Sequence, residues 1–283
     1  MIHDYLIYFM TTVSFLTILV IALNIAVGFT GLINLGHMVF FGIGAYASAI
    51  LTTHGTPWYV AILIAGLLAS LIGTIIAAIA VRLKGEYFAM VTLGLVFIAI
   101  AIARNWISLT RGALGIPGVP DIIRDNFYYM IFSWAVAGLS ILFFYNFVNS
   151  ETGKILQAIR DDETAAAILG KNTYFYKVLS IAISTFFAGI AGSLFVHHIN
   201  FIDPSVFDLE FFIFVISMLI AGGLASITGS IVGVFALSIV SEAMRYIIVS
   251  PELIGAVREI TYVVVLILIL VYRPKGIFGK VDV

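Results

Sequence analysis

Residues 5–81 read YLIYFMTTVSFLTILVIALNIAVGFTGLINLGHMVFFGIGAYASAILTTHGTPWYVAILIAGLLASLIGTIIAAIAV, without a single Asp, Glu, Lys or Arg. As continuous helix this stretch would run about 115 Å, against a hydrocarbon core of about 30 Å, so it reads as three membrane crossings joined by short turns. The remainder keeps the same character. The chain is 62% hydrophobic and 10% charged, with a mean hydropathy of +1.16, whereas a soluble domain is about 25% charged. An integral membrane protein is the class that fits. The first residues, MIHDYLIYF, lack the basic segment and the small-residue cleavage site of a signal peptide, so the first apolar run is expected to be retained. The chain has no cysteine, which removes disulfide and thiol chemistry, and its formal net charge of −1 with no long basic run leaves no footprint for nucleic acid.

Apolar runs place spans near 5–27, 33–51, 58–81, 87–103, 127–147, 178–198, 211–227, 231–246 and 253–272. This predicts an all-α polytopic transmembrane bundle of about nine spans (eight to ten), built as one transmembrane domain over residues 1–283. Glycines crowd two places: Gly28, Gly31, Gly36, Gly42 and Gly44, then Gly222, Gly223, Gly229 and Gly233. Close helix packing and a broken or re-entrant helix, the latter near residues 28–46, both fit such glycines.

Lysine and arginine orient the bundle. If the turn 82–86, the stretch 149–177 and the tail after Tyr272 share one side, that side holds Arg82, Lys84, Lys154, Arg160, Lys171, Lys177, Arg273, Lys275 and Lys280. Arg104, Arg111, Arg124, Arg245 and Arg258 are left on the other. Every lysine falls on the first side, which places it in the cytoplasm, with the N-terminus outside and the C-terminus inside. The outer loops carry Asp121, Asp125, Asp203, Asp208, Glu210 and Glu252, either as solvated charges or to meet a soluble partner. Loop 105–126 contains RGALGIPGVP, which breaks a helix and is long for a connector, so it is expected at a pore mouth.

The longest polar interruption is residues 149–177, NSETGKILQAIRDDETAAAILGKNTYFYK. Asp161 or Asp162 can cap a short helix there, Glu163 adds negative charge near its positive dipole end, and Gly170 ends it. A helix of about two turns is not stable alone in water and needs a surface to pack on. Ala165, Ala166, Ile168 and Leu169 offer an apolar face for a partner protein; a helix lying on lipid headgroups is the alternative.

Enzyme patterns are missing: there is no G-x-x-x-x-G-K-[ST], H-E-x-x-H or G-x-S-x-G, and no His/Cys spacing suited to a metal. No catalytic residue, metal ligand or cofactor is expected in this chain; if ATP is used, another subunit binds it. Ionisable groups in or near the spans are few. Glu86 and Glu210 lie beside span ends, Glu259 sits in the last span, and Glu242 with Arg245 stands at i, i+3 and can pair. Such scarcity suits a path for a neutral or zwitterionic solute lined by small residues and backbone. Asn34, His37 and Thr92, polar in apolar spans, either line that path or bond across helices.

Seven blocks, in order, resemble the branched-chain amino acid ABC transporter permeases. They are 28–37 (GFTGLINLGH) with 42–46 (GIGAY), 83–89 (LKGEYFA) with 92–94 (TLG), 109–112 (LTRG) with 115–117 (GIP), and 158–163 (AIRDDE) with Ala165, Ala166 and Gly170. The others are 188–192 (AGIAG), Gly222-Gly223 and 273–279 (RPKGIFG). The R-L-x-G-x-Y-x-A block from Arg82 and the T-x-x-x-x-G-I block from Thr110 look like the LivM type rather than its LivH-type sister. The resemblance implies a permease subunit of an ATP-binding-cassette importer in a bacterial or archaeal cytoplasmic membrane. Its implied partners are a LivH-type sister permease, two cytoplasmic ATPase subunits holding ATP and Mg, an extracytoplasmic solute-binding protein and membrane lipid. Branched-chain amino acids are the implied solute, with urea, amides or another small solute as alternatives, and a channel or secondary carrier without ATPases as the reading of another class.

By the same resemblance, Arg160, Asp161, Asp162, Glu163, Ala165, Ala166 and Gly170 couple the chain to the ATPases, and the solute path runs near Asn34, Gly36, His37, Thr92, Gly94 and Thr110. One departure stands out. The wider ABC-permease pattern sets Glu six residues before Gly, whereas here Thr164 occupies that place and Glu163 is seven before Gly170, with no Leu-Pro following. Glu163 is therefore not assigned the role that Glu has elsewhere.

Overall fold

The computed structural model describes residues 2–83, 85–247, 254–273 and 275–279. Lys84, Glu252, Pro274 and Lys280 lie outside the described residues, as do the side chains of Arg245, Arg258 and Glu259, so the expected Glu242–Arg245 pair falls outside them too.

The first helix, α1 (Ile2–Asn24), is apolar on every side, and such a helix must be covered all round. It is: residues 18–23 are fully buried, ringed by α6 (Asn126–Asn149), α9 (Thr173–Ile199), α10 (Leu209–Gly222) and α11 (Ile227–Ile247). A second layer joins α2 (His37–Thr53) and α3 (Trp58–Ala80) to α9. The α2–α9 seam is close because a Cβ on Gly192 would overlap the Phe41 carbonyl, and one on Gly44 the Gly189 backbone. Small residues let the two backbones approach where leucines would hold them apart. Two helices are peripheral, α4 (Glu86–Asn105) and α12 (Ile254–Tyr272). On α3 the stripe Leu63, Leu67, Leu71 and Ile75 is exposed at i, i+4 spacing, as a lipid-facing helix surface should be.

Among the described residues, the longer helices fall on the expected spans, and the bundle is all-α and polytopic. The segments His3–Phe29, Trp58–Ala80, Glu86–Asn105, Asn126–Asn149 and Thr173–Ile199 are each long and apolar enough to cross a membrane. The glycine-rich elements are shorter. At 17 and 14 residues, α2 and α10 cover about 25 Å and about 21 Å, less than a full hydrocarbon thickness. Between α1 and α2 the helix does break: α1 passes into a π-helical turn (Ile25–Phe29), and residues 31–34 have no regular structure. The break is kept satisfied, since Leu32 N donates to Ala26 O (2.8 Å) and Thr30 Oγ1 to Ile25 O (2.7 Å).

The turn that follows α10 is satisfied by α1. Asn24, fully buried, donates through Nδ2 to Ser226 O (3.1 Å) and Ser230 Oγ (2.7 Å), and its Oδ1 accepts from Ala225 N (3.1 Å). One side chain thus satisfies the turn between α10 and α11, where Ala225 takes a left-handed φ of 56°. Asn24→Leu is expected to strand these groups and to cost about 3 kcal/mol, read as a lowered thermal unfolding midpoint in detergent. An unchanged midpoint would mean that the turn holds itself.

Contacts sort the connections into two ends. At one end Arg160 Nη1 donates to Gly28 O (2.9 Å), Tyr174 Oη to Ala78 O (2.9 Å), and Ile277 N to Ala221 O (3.0 Å). At the other, Tyr8 lies against His198, with ring centroids 4.3 Å apart, and the long loop folds down over the ends of α2 and α9. That loop forms α5 (Ile107–Thr110), a 3-10 turn (Gly112–Leu114) and β1 (Ile116–Pro117), which pairs antiparallel with β2 (Phe201–Ile202) in the register Ile116↔Ile202. A relay locks it in place. Ser193 Oγ donates to Ser48 Oγ (2.7 Å), Ser48 Oγ meets His197 Nε2 (2.9 Å), and His197 Nδ1 donates to Pro120 O (2.9 Å). The start of α1 and residues 275–279 therefore lie at opposite ends, as an odd number of crossings requires.

Candidate functional site

The polar stretch after α6 folds as two short helices, α7 (Glu151–Asp161) and α8 (Glu163–Ile168). Ser150 caps α7 through Gly153 N (3.3 Å), and Asp162 caps α8 by accepting from Thr164 N (2.8 Å) and Ala165 N (2.9 Å). Of the two aspartates offered by the sequence, Asp162 is the cap and Asp161 pairs with Arg160 Nη2 at 2.7 Å. At the far end Gly170 adopts φ 78°, and the N–H groups of Gly170 and Lys171 return to Ala167 O (2.9 Å) and Ala166 O (3.2 Å). A residue with a Cβ would be strained there, which is why the helix stops where it does.

The side chains divide by direction. Arg160 turns inward to the end of α1, and Glu163 accepts from Lys177 Nζ at the base of α9, so both hold α8 against the bundle. Ala166 is buried at 3% exposure, which corrects the expectation that it belongs to an outward apolar face. Its neighbours do face outward: Ala165 is exposed, and Ile168 and Leu169 are 81% and 79% exposed. Two bare aliphatic side chains, on a helix capped at both ends and pinned at Ala166, form a firm protruding contact.

The expected path residues only partly assemble. Asn34, Gly36, His37 and Thr92 meet where α2 begins beside α4. Thr92 Oγ1 accepts from Leu35 N (3.1 Å) and donates to Ala89 O (2.9 Å), Asn34 Oδ1 accepts from Gly36 N (3.1 Å), and a Cβ on Gly36 would crowd Thr92 O. Three polar atoms there stay without a partner: Asn34 Nδ2 and both ring nitrogens of His37, whose ring lies beside the Leu19 carbonyl without a well-formed hydrogen bond. Asn34 and His37 are 1% and 0% exposed, so no open channel reaches them in this conformation. Gly94 and Thr110 stand apart from this cluster. Nothing lies within 4 Å of a Cβ built on Gly94, and Thr110 shapes the long loop after α4 by donating to Ala103 O (2.7 Å) and Trp106 O (2.8 Å).

The family model described as the branched-chain amino acid transport system permease component matches residues 5–272. The chain belongs to this family. It is 30% identical over 92% of its length to the high-affinity branched-chain amino acid transport system permease protein LivM of Escherichia coli K12, of which the match covers 67%. A probable LivM of Methanocaldococcus jannaschii is 25% identical over 90% of this chain and 82% of that one. The LivH of Salmonella typhimurium is 28% identical over 92% and 91%. Among solved structures, PsaBC from Streptococcus pneumoniae in complex with Fab superposes with a TM-score of 0.50, covering 96% of this chain and 93% of that one. At 16% identity this likeness is one of fold alone.

This branched-chain amino acid transport permease is thus a LivM-type, multi-pass membrane protein, as its residue blocks implied. Two features of the segment 149–177 take their final form only in the fold. Of the apolar face read from the sequence, Ile168 and Leu169 emerge as the exposed large side chains, directly before the Gly170 stop, while Ala166 turns inward. Lys177, the partner of Glu163, carries no local signal at all, because the helix register that brings it there is set by tertiary packing.

Proposed function

We propose that this permease is one of the two membrane subunits of an ABC importer for branched-chain amino acids, seated in a bacterial or archaeal cytoplasmic membrane. A LivH-type sister completes the solute path, two cytoplasmic ATPases binding ATP and Mg drive it, and an extracytoplasmic binding protein delivers the solute. The observation that carries the reading is the family match over nearly the whole chain, with relatives named for branched-chain amino acid transport. The exposed Ile168 and Leu169, at the end of the bundle that holds Lys154, Lys171 and Lys177, support docking of the ATPases there. Reconstituted with its cognate subunits, the chain should give ATP-dependent uptake of leucine, isoleucine or valine. Uptake of urea with none of the three would sink this reading.

Orientation follows with the N-terminus outside. Lysine-directed labelling from the outside of intact cells should leave Lys154 and Lys171, both exposed at the proposed cytoplasmic end, unmodified. Modification of either one reverses the topology.

The Asn34–His37 cluster is assigned to the inner part of the solute path, closed in this conformation. An imidazole buried without hydrogen bonds costs stability, so His37→Leu should leave stability unchanged or raise it by about 1–3 kcal/mol at most, read as an unchanged or higher thermal midpoint. Uptake by the same variant should fall about tenfold or more, since polar groups kept at such a cost inside a membrane protein are there to act. Normal uptake together with raised stability would remove His37 from the path.

A further inference from the structure

Two pairs of like residues in this bundle are buried alike and bonded differently. Asn24 and Asn34 are 0% and 1% exposed. Asn24 uses both ends of its amide, on Ser226 O, Ser230 Oγ and Ala225 N, whereas Asn34 uses only Oδ1, on Gly36 N at 3.1 Å, and leaves Nδ2 without a partner. His197 and His37 are 3% and 0% exposed. His197 bonds through both ring nitrogens, to Ser48 Oγ and Pro120 O, and His37 through neither. Asn24 and His197 brace the fold. That role does not account for Asn34 and His37, because buried polar groups kept for bracing have their bonds made.

The two unsatisfied side chains share one place. His37 is the first residue of α2, and the Asn34 amide is held against the start of that helix by its bond to Gly36 N. The N-cap residue, Gly36, offers no side chain, so the positive end of this 17-residue helix is left to attract a negative group. Most of what is unmet is donors: two N–H on Asn34 Nδ2 and one on a neutral His37 imidazole, against one acceptor nitrogen. Spare donors beside a helix N-terminus suit an anionic oxygen group, and in broken transmembrane helices such an end faces the acidic group of a solute.

We propose that the first turn of α2 is a carboxylate-binding site, with Asn34 Nδ2 and the His37 imidazole as its donors. Its natural ligand is the carboxylate of the passing solute, a role that deepens the assignment of this cluster to the solute path and rests on it. Thr92 is the latch and not a donor to the ligand. Its hydroxyl already bonds Leu35 N and Ala89 O, and Gly36 packs so closely on it that an added Cβ would stand 2.7 Å from the Thr92 carbonyl oxygen. The site is shut while α4 holds this position, and withdrawal of Thr92 from Leu35 opens it.

The test reads His37 itself. The full chain, with the subunits that copurify but without binding protein, is placed in nanodiscs with or without ATP and Mg. Diethyl pyrocarbonate, which attacks unprotonated imidazole, is added, and modification is followed residue by residue by mass spectrometry, with the exposed His54 as internal control. Isovalerate should slow modification of His37 about tenfold or more and leave His54 unchanged, while isovaleramide, the same body without the charge, should slow neither. Asn34→Asp keeps an oxygen for Gly36 N, removes the Nδ2 donor and sets a like charge against the ligand, so it should weaken the protection about tenfold or more. Equal protection by acid and amide, protection unaltered by Asn34→Asp, or no modification of His37 with or without ATP would each overturn the proposal; the first and the last are read on the unsubstituted chain, whatever the variant does to folding. The path assignment fails separately. Uptake lost in His37→Leu, with no protection by isovalerate in the parent chain, would keep the path and overturn the carboxylate site, whereas normal uptake in that variant, with protection intact in the parent, would leave a carboxylate site off the path.

Discussion

Ile168→Asp combined with Leu169→Asp is expected to leave the permease folded in its membrane while abolishing its association with ATPase subunits and, with that, ATP-driven uptake. Both side chains are about four-fifths exposed, so their replacement removes nothing from the chain's own core. Burying an aliphatic side chain of this size contributes about 1.5–3 kcal/mol, and placing a carboxylate in the same pocket adds a desolvation cost. A loss of at least about 3 kcal/mol corresponds to more than about 100-fold in affinity. Copurification of the ATPases and uptake in proteoliposomes read the two effects separately. Undiminished copurification would return α8 to the reading of a helix lying on lipid headgroups. Ala166→Arg cannot make this distinction, because at 3% exposure the arginine would strike the packing of α8 on its own bundle and silence the transporter for that reason alone.

The contrast between Ala166 and Ile168 shows where the sequence stops being legible. Hydropathy is a local property, so the spans of α1, α3, α4, α6 and α9 could be read directly, and so could the Asp162 cap and the Gly170 stop, whose bonds reach five residues or fewer. The direction of a side chain on a two-turn helix is not local. It depends on how α7 and α9 hold α8, through Arg160 to Gly28 across 132 positions and through Glu163 to Lys177 across 14. The same limit applies to the path residues. Thr92 is polar within an apolar run, which drew attention to it, but its bond to Leu35 N spans 57 positions and makes it a brace for the broken segment. Thr110 was grouped with it by motif alone; packing puts it in the long loop at the other end of α4.

Arg160→Met is expected to separate ATP hydrolysis from transport. The substitution keeps an unbranched stem of similar reach but removes the guanidinium that joins α7 to the carbonyl of Gly28, in the turn where α1 ends. A hydrogen bond to a charged group contributes about 1.5–3 kcal/mol, so its loss should loosen the link between α7 and α1 by about 10- to 100-fold in the coupling equilibrium. The proposed docking surface, Ile168 and Leu169 at the end of α8, is untouched, because Asp162 still caps α8 and Lys177 still holds Glu163. The ATPases should therefore still copurify and still hydrolyse ATP, while uptake per ATP falls at least about tenfold. If Arg160 instead contacts the ATPases, as the sequence motif implied, the same variant should lose copurification first. Normal copurification with normal uptake would show that neither role is its own, and that the arginine serves only to satisfy the end of α1.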